Sequence, residues 1–412
     1  AQPMNDPFRV RVGVPDYELK KCDDDANGLP DLAYSWSQPN LGRIRVDDSV
    51  TGEIVDKYVA IFGGGMDPDP IRKSMTPAGG AVGGNFLFMV DVETGRAIYK
   101  RAVVGSVAAD PAAVDTDGDG YLDTVYFGTT AGFIYKTDIR SAGLLEDLGS
   151  SAGGLKITSA AWEPFPILYS GGRPFYHEPA VVFVSELGQY AIAAGTGDRE
   201  DLWADNPLGL EEGRFYMFVD RDFMATDPFL PLTDTDLQEI RLTDANTSAD
   251  FLRQSPYGWY LRLDPDERLI SQAFSLAGVT IFSTFEPEET ISDDGAICQR
   301  FGNSNVYVLT STSANTLLSS NERFFTISGG FLSPPFAETS QTKNPSSDDD
   351  GPTAADLPDD MASMVNEIKA LLPTSCKYAN YTINIKAVRD DTGIQYLAAI
   401  PVCTVETNWK DF

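Results

Sequence analysis

The chain holds a single histidine, His177, in 412 residues. A Ser-His-Asp hydrolase, a His-ligated metal enzyme or a haem protein would have to be built on that one imidazole. It lies in PFYHEPAVVF, directly before an apolar run, where a structural role accounts for it. Cysteine is scarce as well. Cys22, Cys298, Cys376 and Cys403 form no CxxC pair, which argues against a zinc knuckle or a dithiol redox motif. Four is an even number and fits two disulfides in an oxidising compartment. Cys376 and Cys403 bracket a short strand-rich stretch and would leave Cys22 with Cys298, but all three connectivities stay open. No apolar run reaches the length of about 18 residues needed for a membrane-spanning helix. The chain opens at Ala1 with no signal-peptide pattern, as a mature protein or a piece cut from a longer one would.

Positive charge is also in deficit. Sixty-one acidic residues face 31 basic ones, for a net charge of −30. Such a polyanion repels phosphate backbones and anionic bilayers, so nucleic acid is excluded as a partner. The same acidity suits divalent cations. Solubility or a salty medium accounts for most of the acids, and two loops stand apart from that reading. Hydrophobic residues at 42% and aromatics at 11% are those of a folded globular chain rather than a disordered one.

What is present is a long succession of short strands. KYVAIFGGG (57–65), GNFLFMVDV (84–92), LDTVYFGTT (122–130) and GFIYKTDI (132–139) come first. AVVFVSELGQYAIAAGTGD (180–198), GRFYMFVD (213–220), GWYLRL (258–263), GVTIFSTF (278–285), NVYVLTS (305–311), RFFTISGG (323–330) and YLAAIPV (396–402) follow. Each is rich in Val, Ile, Phe, Tyr or Thr and is bounded by Gly, Asp or Pro. Helical periodicity is nearly absent before residue 359.

The strands share a loose repeat. An apolar strand ends in a glycine cluster (Gly63-Gly64-Gly65, Gly128-Thr129-Thr130, Gly195-Thr196-Gly197) and an aromatic strand follows, ending in Asp91, Asp138 or Asp220. Glycine lets backbones pass where a Cβ would crowd them. A repeat of this kind predicts an all-β protein built as a modified β-propeller of about seven blades. A sandwich of long hairpins is the competing architecture.

Residues 333–358, rich in Pro, Ser and Asp, read as a mobile acidic loop or linker. DDMASMVNEIKALLP (359–373) reads as a short amphipathic helix. Asp359 and Asp360 suit its N-terminus, and Met361, Met364, Val365, Ile368, Leu371 and Leu372 form its apolar stripe. The expected organisation is a propeller with calcium loops over 1–332, the linker over 333–358, and a helix with closing strands over 359–412.

The sharpest motif is DTDGDGYLD, residues 115–123. Calcium takes six to eight oxygen ligands in a flexible cage. Asp115, Asp117 and Asp119 occupy loop positions one, three and five. Gly120 allows the turn at six, Tyr121 offers its backbone carbonyl at seven, and Asp123 sits at nine. An EF-hand carries a bidentate Glu at position twelve, where this chain has Tyr126, and the flanks here are strands. The reading is therefore an EF-hand-like Ca2+ loop embedded in a β-turn. A second match, DDDANGLPD, places Asp23, Asp25, Asn27, Leu29 and Asp31 in the same register as a second candidate calcium site. The acids at 67–69 and 348–350 lack the glycine and the third ligand spacing, and read as solvated charge.

The segment VDTDGDGYLDTVYFGTTAGFIYKTDI (114–139) resembles the calcium segment of the PilC/PilY family of type IV pilus tip-associated adhesins. Further pieces resemble that family in its order: YSWSQPNLGRIRV (34–46), YVAIFGGG with FMVDVETGRAIYK (88–100), AIAAGTGDRED (191–201), and GWYLRLDPDERLISQAFSLAGVTIFSTFEP (258–287) with Cys298 beyond it. The resemblance covers roughly residues 30–312. It implies the propeller half of a large surface protein, exported through the periplasm to the pilus tip or outer cell surface. It also implies a non-enzymatic role in adhesion, twitching motility and pilus biogenesis, with bound calcium controlling retraction. The implied partners are minor pilins, the pilus tip, and a host or abiotic surface receptor. Asp115, Asp117, Asp119, Tyr121 and Asp123 carry over as calcium ligands by position, whereas the loop at Asp23 rests on spacing alone.

Two other classes compete. ETGRAIYK resembles the turn of quinoprotein-dehydrogenase propeller repeats, but the chain has no adjacent cysteine pair and is short for that family. A generic FG-GAP-like propeller would repeat the calcium loop in most blades, and two such loops are visible. No Arg-Gly-Asp tripeptide occurs.

Overall fold

The computed structural model describes residues 29–35, 37–67, 82–149, 154–184, 187–197, 212–220, 230–254, 258–276, 278–291, 297–318, 321–328, 331–341, 381–389 and 393–402. The described chain is all-β, and its only helical segments are two single 3-10 turns at 160–162 and 234–236. No helix among the described residues is long and apolar enough to cross a membrane.

Twenty-three strands form five sheets among the described residues, against the expected seven or so blades. The first sheet holds β1 (Asn40–Asp48), β2 (Glu53–Gly63), β3 (Phe86–Asp91) and β4 (Arg96–Ala102), in the order β4-β3-β2-β1. The second runs β5 (Ala112–Val114), β6 (Thr124–Gly128), β7 (Phe133–Asp138) and β10 (Phe165–Tyr169), all antiparallel. Between β7 and β10 in the chain, β8 (Gly143–Asp147) and β9 (Leu155–Ile157) return to the first sheet, where β8 pairs in parallel with the end of β1.

The third sheet is β11 (Ala180–Val184), β12 (Gln189–Gly195), β13 (Glu212–Val219), β15 (Gly258–Pro265) and β14 (Gln238–Ile240). In the fourth, β16 (Arg268–Leu269) and β17 (Phe274–Leu276) share one edge of β18 (Val279–Ile291), followed by β19 (Ile297–Thr310) and β20 (Phe324–Ser328). The fifth is β21 (Phe336–Gln341), β22 (Tyr381–Arg389) and β23 (Gly393–Val402).

The sheets stack face on face, and alternation along single strands shows how. On β6, Val125 and Phe127 join a core with Ile44, Val59, Leu87 and Trp162 of the first sheet and its attached segments. Tyr126, pointing the other way, joins Ile192, Tyr216 and Phe218 of the third sheet. On β13, Tyr216 and Phe218 face back to the second sheet, while Phe215 and Met217 face forward to Phe282 and Tyr307 of the fourth. Val279, Ile281, Val306 and Val308 then pack on Ile385, Ala387 and Leu397 of the fifth.

Adjacent side chains point to opposite faces of a strand, and both faces of these central strands are buried. That is why they read as unbroken apolar runs rather than alternating ones. Ring stacking follows the same path: Phe215 lies on Phe282 at 3.8 Å between centroids, and Phe282 on Tyr307 at 4.5 Å. Successive small, mainly antiparallel sheets packed face to face in this way are the arrangement of propeller blades.

The glycine clusters end equivalent strands, β2, β6 and β12, as the repeat predicts. At Gly64 the crowding is backbone on backbone. An added Cβ would lie 2.6 Å from the carbonyl oxygen of Asp31 and 2.7 Å from that of Gly84. Neither wall is a side chain that can swing aside. Gly64→Ala is expected to cost about 1–3 kcal/mol by overpacking, measured as a lower urea midpoint with an unchanged m-value.

The segment expected as a linker behaves differently in part. Residues 336–341 form β21, because their backbone completes a ladder with β22 from Phe336↔Lys386 to Gln341↔Tyr381. Residues 342–358 of that segment and the expected helix at 359–373 lie outside the described residues, as do Cys22, Cys376 and Cys403. Cys298 falls on β19.

Candidate metal centre

The loop 115–123 joins β5 to β6 and is a tight excursion held by its own acids. Asp115 accepts from the Gly118 amide through Oδ1 at 2.7 Å and from the Gly120 amide through Oδ2 at 2.8 Å. Gly118 and Gly120 both have positive φ, at 77° and 86°, a conformation open to glycine and strained for other side chains. The Asp119 amide reaches Asp117 Oδ1 at 3.1 Å. Asp123 is buried, and its Oδ2 accepts from the Thr116 amide at 2.7 Å and the Thr116 hydroxyl at 2.6 Å. The chain thus closes from residue 116 to residue 123 before β6 begins. The Tyr190 hydroxyl of β12 donates to the Thr116 carbonyl at 3.4 Å, so the third sheet touches the loop too.

Three of the expected ligands come together. Oxygens of Asp115, Asp117 and Asp123 all lie within 4.8 Å of one another. Carboxylates at that spacing repel one another, and a hard dication accepts oxygen donors of this kind. The donor set fits calcium: all oxygen, anionic, and carried on a curled loop rather than a rigid octahedron.

Asp119 stands apart from this group. Its Oδ1 accepts from the Tyr121 amide at 2.9 Å, and its Oδ2 pairs with Arg45 of β1 at 2.7 Å. The Tyr121 side chain is turned to the first sheet, where its hydroxyl donates to Asp56 at 2.9 Å. In the second candidate loop, Asp23, Asp25 and Asn27 lie outside the described residues. Leu29 is half-buried, and Asp31 is buried with its carboxylate paired to the Lys100 ammonium.

Sequence reasoning gave no role to the aspartates that end the aromatic strands. Asp91, Asp138 and Asp220 are all buried, and each meets a cation. Lys57 reaches Asp91 at 3.0 Å, Arg140 Nε reaches Asp138 at 2.9 Å, and Lys136 reaches Asp220 at 2.6 Å. Asp91 and Asp138 end β3 and β7 where the backbone turns, with the Glu93 amide donating to Asp91 and the Arg140 amide to Asp138, and Asp220 follows the last residue of β13. Burial pushes the Asp91 carboxyl up, but Lys57 and the turn amides outweigh it and hold the group below its ordinary value. The recurrence of Asp at that position was the visible signal; Arg140 lies two residues beyond Asp138, whereas Lys57 and Lys136 come from other strands and were not visible as partners.

A second polar group lies just ahead of one strand in each of four successive sheets. Gln38, Asp110, Glu178 and Gln272 each stand two residues ahead of β1, β5, β11 and β17. The Gln38 amide donates to Asp110 Oδ1 at 2.6 Å. Glu178 is pushed up to about 7, first by burial and then by the Asp110 charge, against a hydrogen bond from Gln272. A carboxyl raised in the folded state holds its proton where the unfolded chain has lost it. Stability therefore falls as pH rises from about 4.5 to about 7, and is level above that. Partial solvent exposure reduces the effect to about 1–2 kcal/mol. Glu178→Gln is expected to flatten that slope, read as Tm against pH.

Comparison with solved structures places the fold. The chain is similar to the C-terminal domain of PilY1 from Pseudomonas aeruginosa, with a TM-score of 0.50 and 16% identity over 89% of this chain and 73% of that one. It also matches BamB from Moraxella catarrhalis at a TM-score of 0.27 and 11% identity, over 74% and 78% of the two chains. No protein-family model matches the chain, and no curated protein does. The first likeness agrees with the stacked sheets described above: the chain has a β-propeller fold similar to that of the PilY1 C-terminal domain.

Proposed function

We propose that this chain is the calcium-binding propeller of a type IV pilus-associated surface protein, acting in adhesion, twitching motility and control of retraction. The observation that carries the reading is the loop between β5 and β6. It brings Asp115, Asp117 and Asp123 to within 4.8 Å, in a fold similar to the PilY1 C-terminal domain. Asp115, Asp117, Asp119, Asp123 and the Tyr121 carbonyl would hold the ion. Calcium supplies charge neutralisation there and no bond-making chemistry. The role is binding, at the outer cell surface or pilus tip, with minor pilins on one side and a host or abiotic surface on the other.

What this chain's own residues do follows from their attachments. The loop touches β1 through Arg45 and β12 through Tyr190, so its shape is shared by three sheets. Holding the carboxylates in one arrangement fixes how these sheets present their surface. Losing the ion leaves them to repel and loosens the loop.

The test is co-sedimentation of the purified chain with isolated type IV pili, in millimolar calcium and after chelation. Pelleting that requires calcium, and that Asp115→Ala abolishes, supports the reading. Pelleting indifferent to calcium removes the ion from the function, and no pelleting in either condition removes the pilus. A bound quinone, visible by near-ultraviolet absorption of the isolated protein, would turn the assignment to a dehydrogenase.

A further inference from the structure

Asp119 fills a ligand position in the loop sequence, yet its carboxylate is directed at a cation on a different sheet. Arg45 reaches Asp119 Oδ2 at 2.7 Å. Around that pair a small interface is built. The Arg43 and Arg45 guanidinium carbons lie 4.0 Å and 4.4 Å from the centre of the Tyr121 ring. Tyr121 Oη donates to Asp56 Oδ1 at 2.9 Å, and Arg43 stands 3.7 Å from the other oxygen of Asp56. The Leu122 amide donates to the Arg43 carbonyl at 2.8 Å, as a neighbouring strand would. Leu122 also fills the space that any side chain at Gly42 would need, its Cδ1 lying 2.3 Å from where a Cβ would stand.

β1 pairs with β8 only from Val46 to Asp48, so this side of its earlier residues is open to the loop. Arg45 holds Asp119 through Oδ2, so turning that oxygen toward a cation in the loop would draw it off the guanidinium.

We propose that Asp119 is shared between Arg45 and the loop cation, so that filling the loop releases Arg45 and passes occupancy on to the first sheet. The proposal rests on the calcium reading given above and adds a regulatory device to it. Arg45 is a positioning residue, which opposes the ion by holding one of its ligands and by placing a like charge nearby. Tyr121 keeps the loop on β1 through its stack on the two arginines when the Arg45 pair opens, so the loop stays docked while the pair exchanges.

Arg45→Gln removes the competing cation and keeps a polar side chain of similar length. On an exposed pair of this kind it is expected to tighten calcium binding about fivefold by titration of the chelator-stripped chain. Arg45→Lys retains the charge and is expected to stay close to wild type. In the wild-type chain, hydrogen–deuterium exchange of the peptide spanning 40–48 is expected to change on adding calcium, and in Arg45→Gln to be insensitive to it.

Equal affinities for wild type and Arg45→Gln, with both folded by thermal melting, overturn the shared-aspartate proposal while Asp115→Ala still reports the site. Exchange over 40–48 that ignores calcium in the wild type overturns the transmission. No calcium binding by wild type, with Asp115→Ala indistinguishable from it, overturns the underlying site and this proposal together.

Discussion

Asp220→Ala is expected to destabilise the chain by about 3–5 kcal/mol, the larger of the stability effects predicted here. Asp220 follows β13 and its carboxylate sits between two blades. Lys136 Nζ of β7 reaches its Oδ2 at 2.6 Å, and Tyr126 Oη of β6 reaches the same oxygen at 2.6 Å. Lys136 is wholly buried and Asp220 nearly so. Removing the carboxylate leaves the Lys136 ammonium in an apolar seam without its nearest counter-charge, and the Tyr126 hydroxyl loses its acceptor.

Burial holds Lys136 below its ordinary value, and the Asp220 charge works against that shift. Without Asp220 the lysine falls further. The deficit of the variant should therefore shrink as pH rises and the amine gives up its proton. Urea unfolding at two pH values measures both effects. The double variant Lys136→Met with Asp220→Leu replaces the pair by apolar groups and is expected to recover most of the loss. A single-variant loss below about 1 kcal/mol would mean that the pair contributes no more than an exposed salt bridge.

Asp115→Ala is expected to weaken calcium binding by about 100-fold or more, since it deletes a charged ligand and a loop template at once. Both Asp115 oxygens accept backbone amides, from Gly118 and Gly120, across a turn that needs two glycines of positive φ. Asp115→Asn keeps an acceptor of the same shape and loses the charge, so an intermediate affinity is expected. Calcium at a hundredfold excess over its Kd should stabilise the wild-type chain by about 2.7 kcal/mol, and Asp115→Ala by far less. Titration calorimetry gives the affinity, and melting with and without calcium gives the linkage. Asp115→Ala binding calcium as tightly as wild type would remove this loop as the site.

The fold was legible because its signals are local. A stretch buried on both faces tends to be apolar at every position, and residues 125–127 of β6 and 215–219 of β13 read that way. Glycine at the ends of β2, β6 and β12 marks backbone that admits no Cβ, and Gly64 shows why. The candidate metal loop was legible for the same reason, since its acids are spaced within nine residues. β21 was not, because residues 336–341 become a strand only by pairing with β22, forty residues further along the chain.

By itself, then, the sequence determined an acidic all-β chain, its strand repeat and the oxygen-rich loop at 115–123. Those depend on residue type and near-neighbour spacing. Tertiary structure alone decided that Asp119 faces Arg45, that Asp31 faces Lys100, and that Asp220 closes on Lys136 and Tyr126. In each case the partner lies dozens of residues away, on another strand or sheet. A carboxylate chooses its cation by distance in space, and only the stacking of the blades sets that distance.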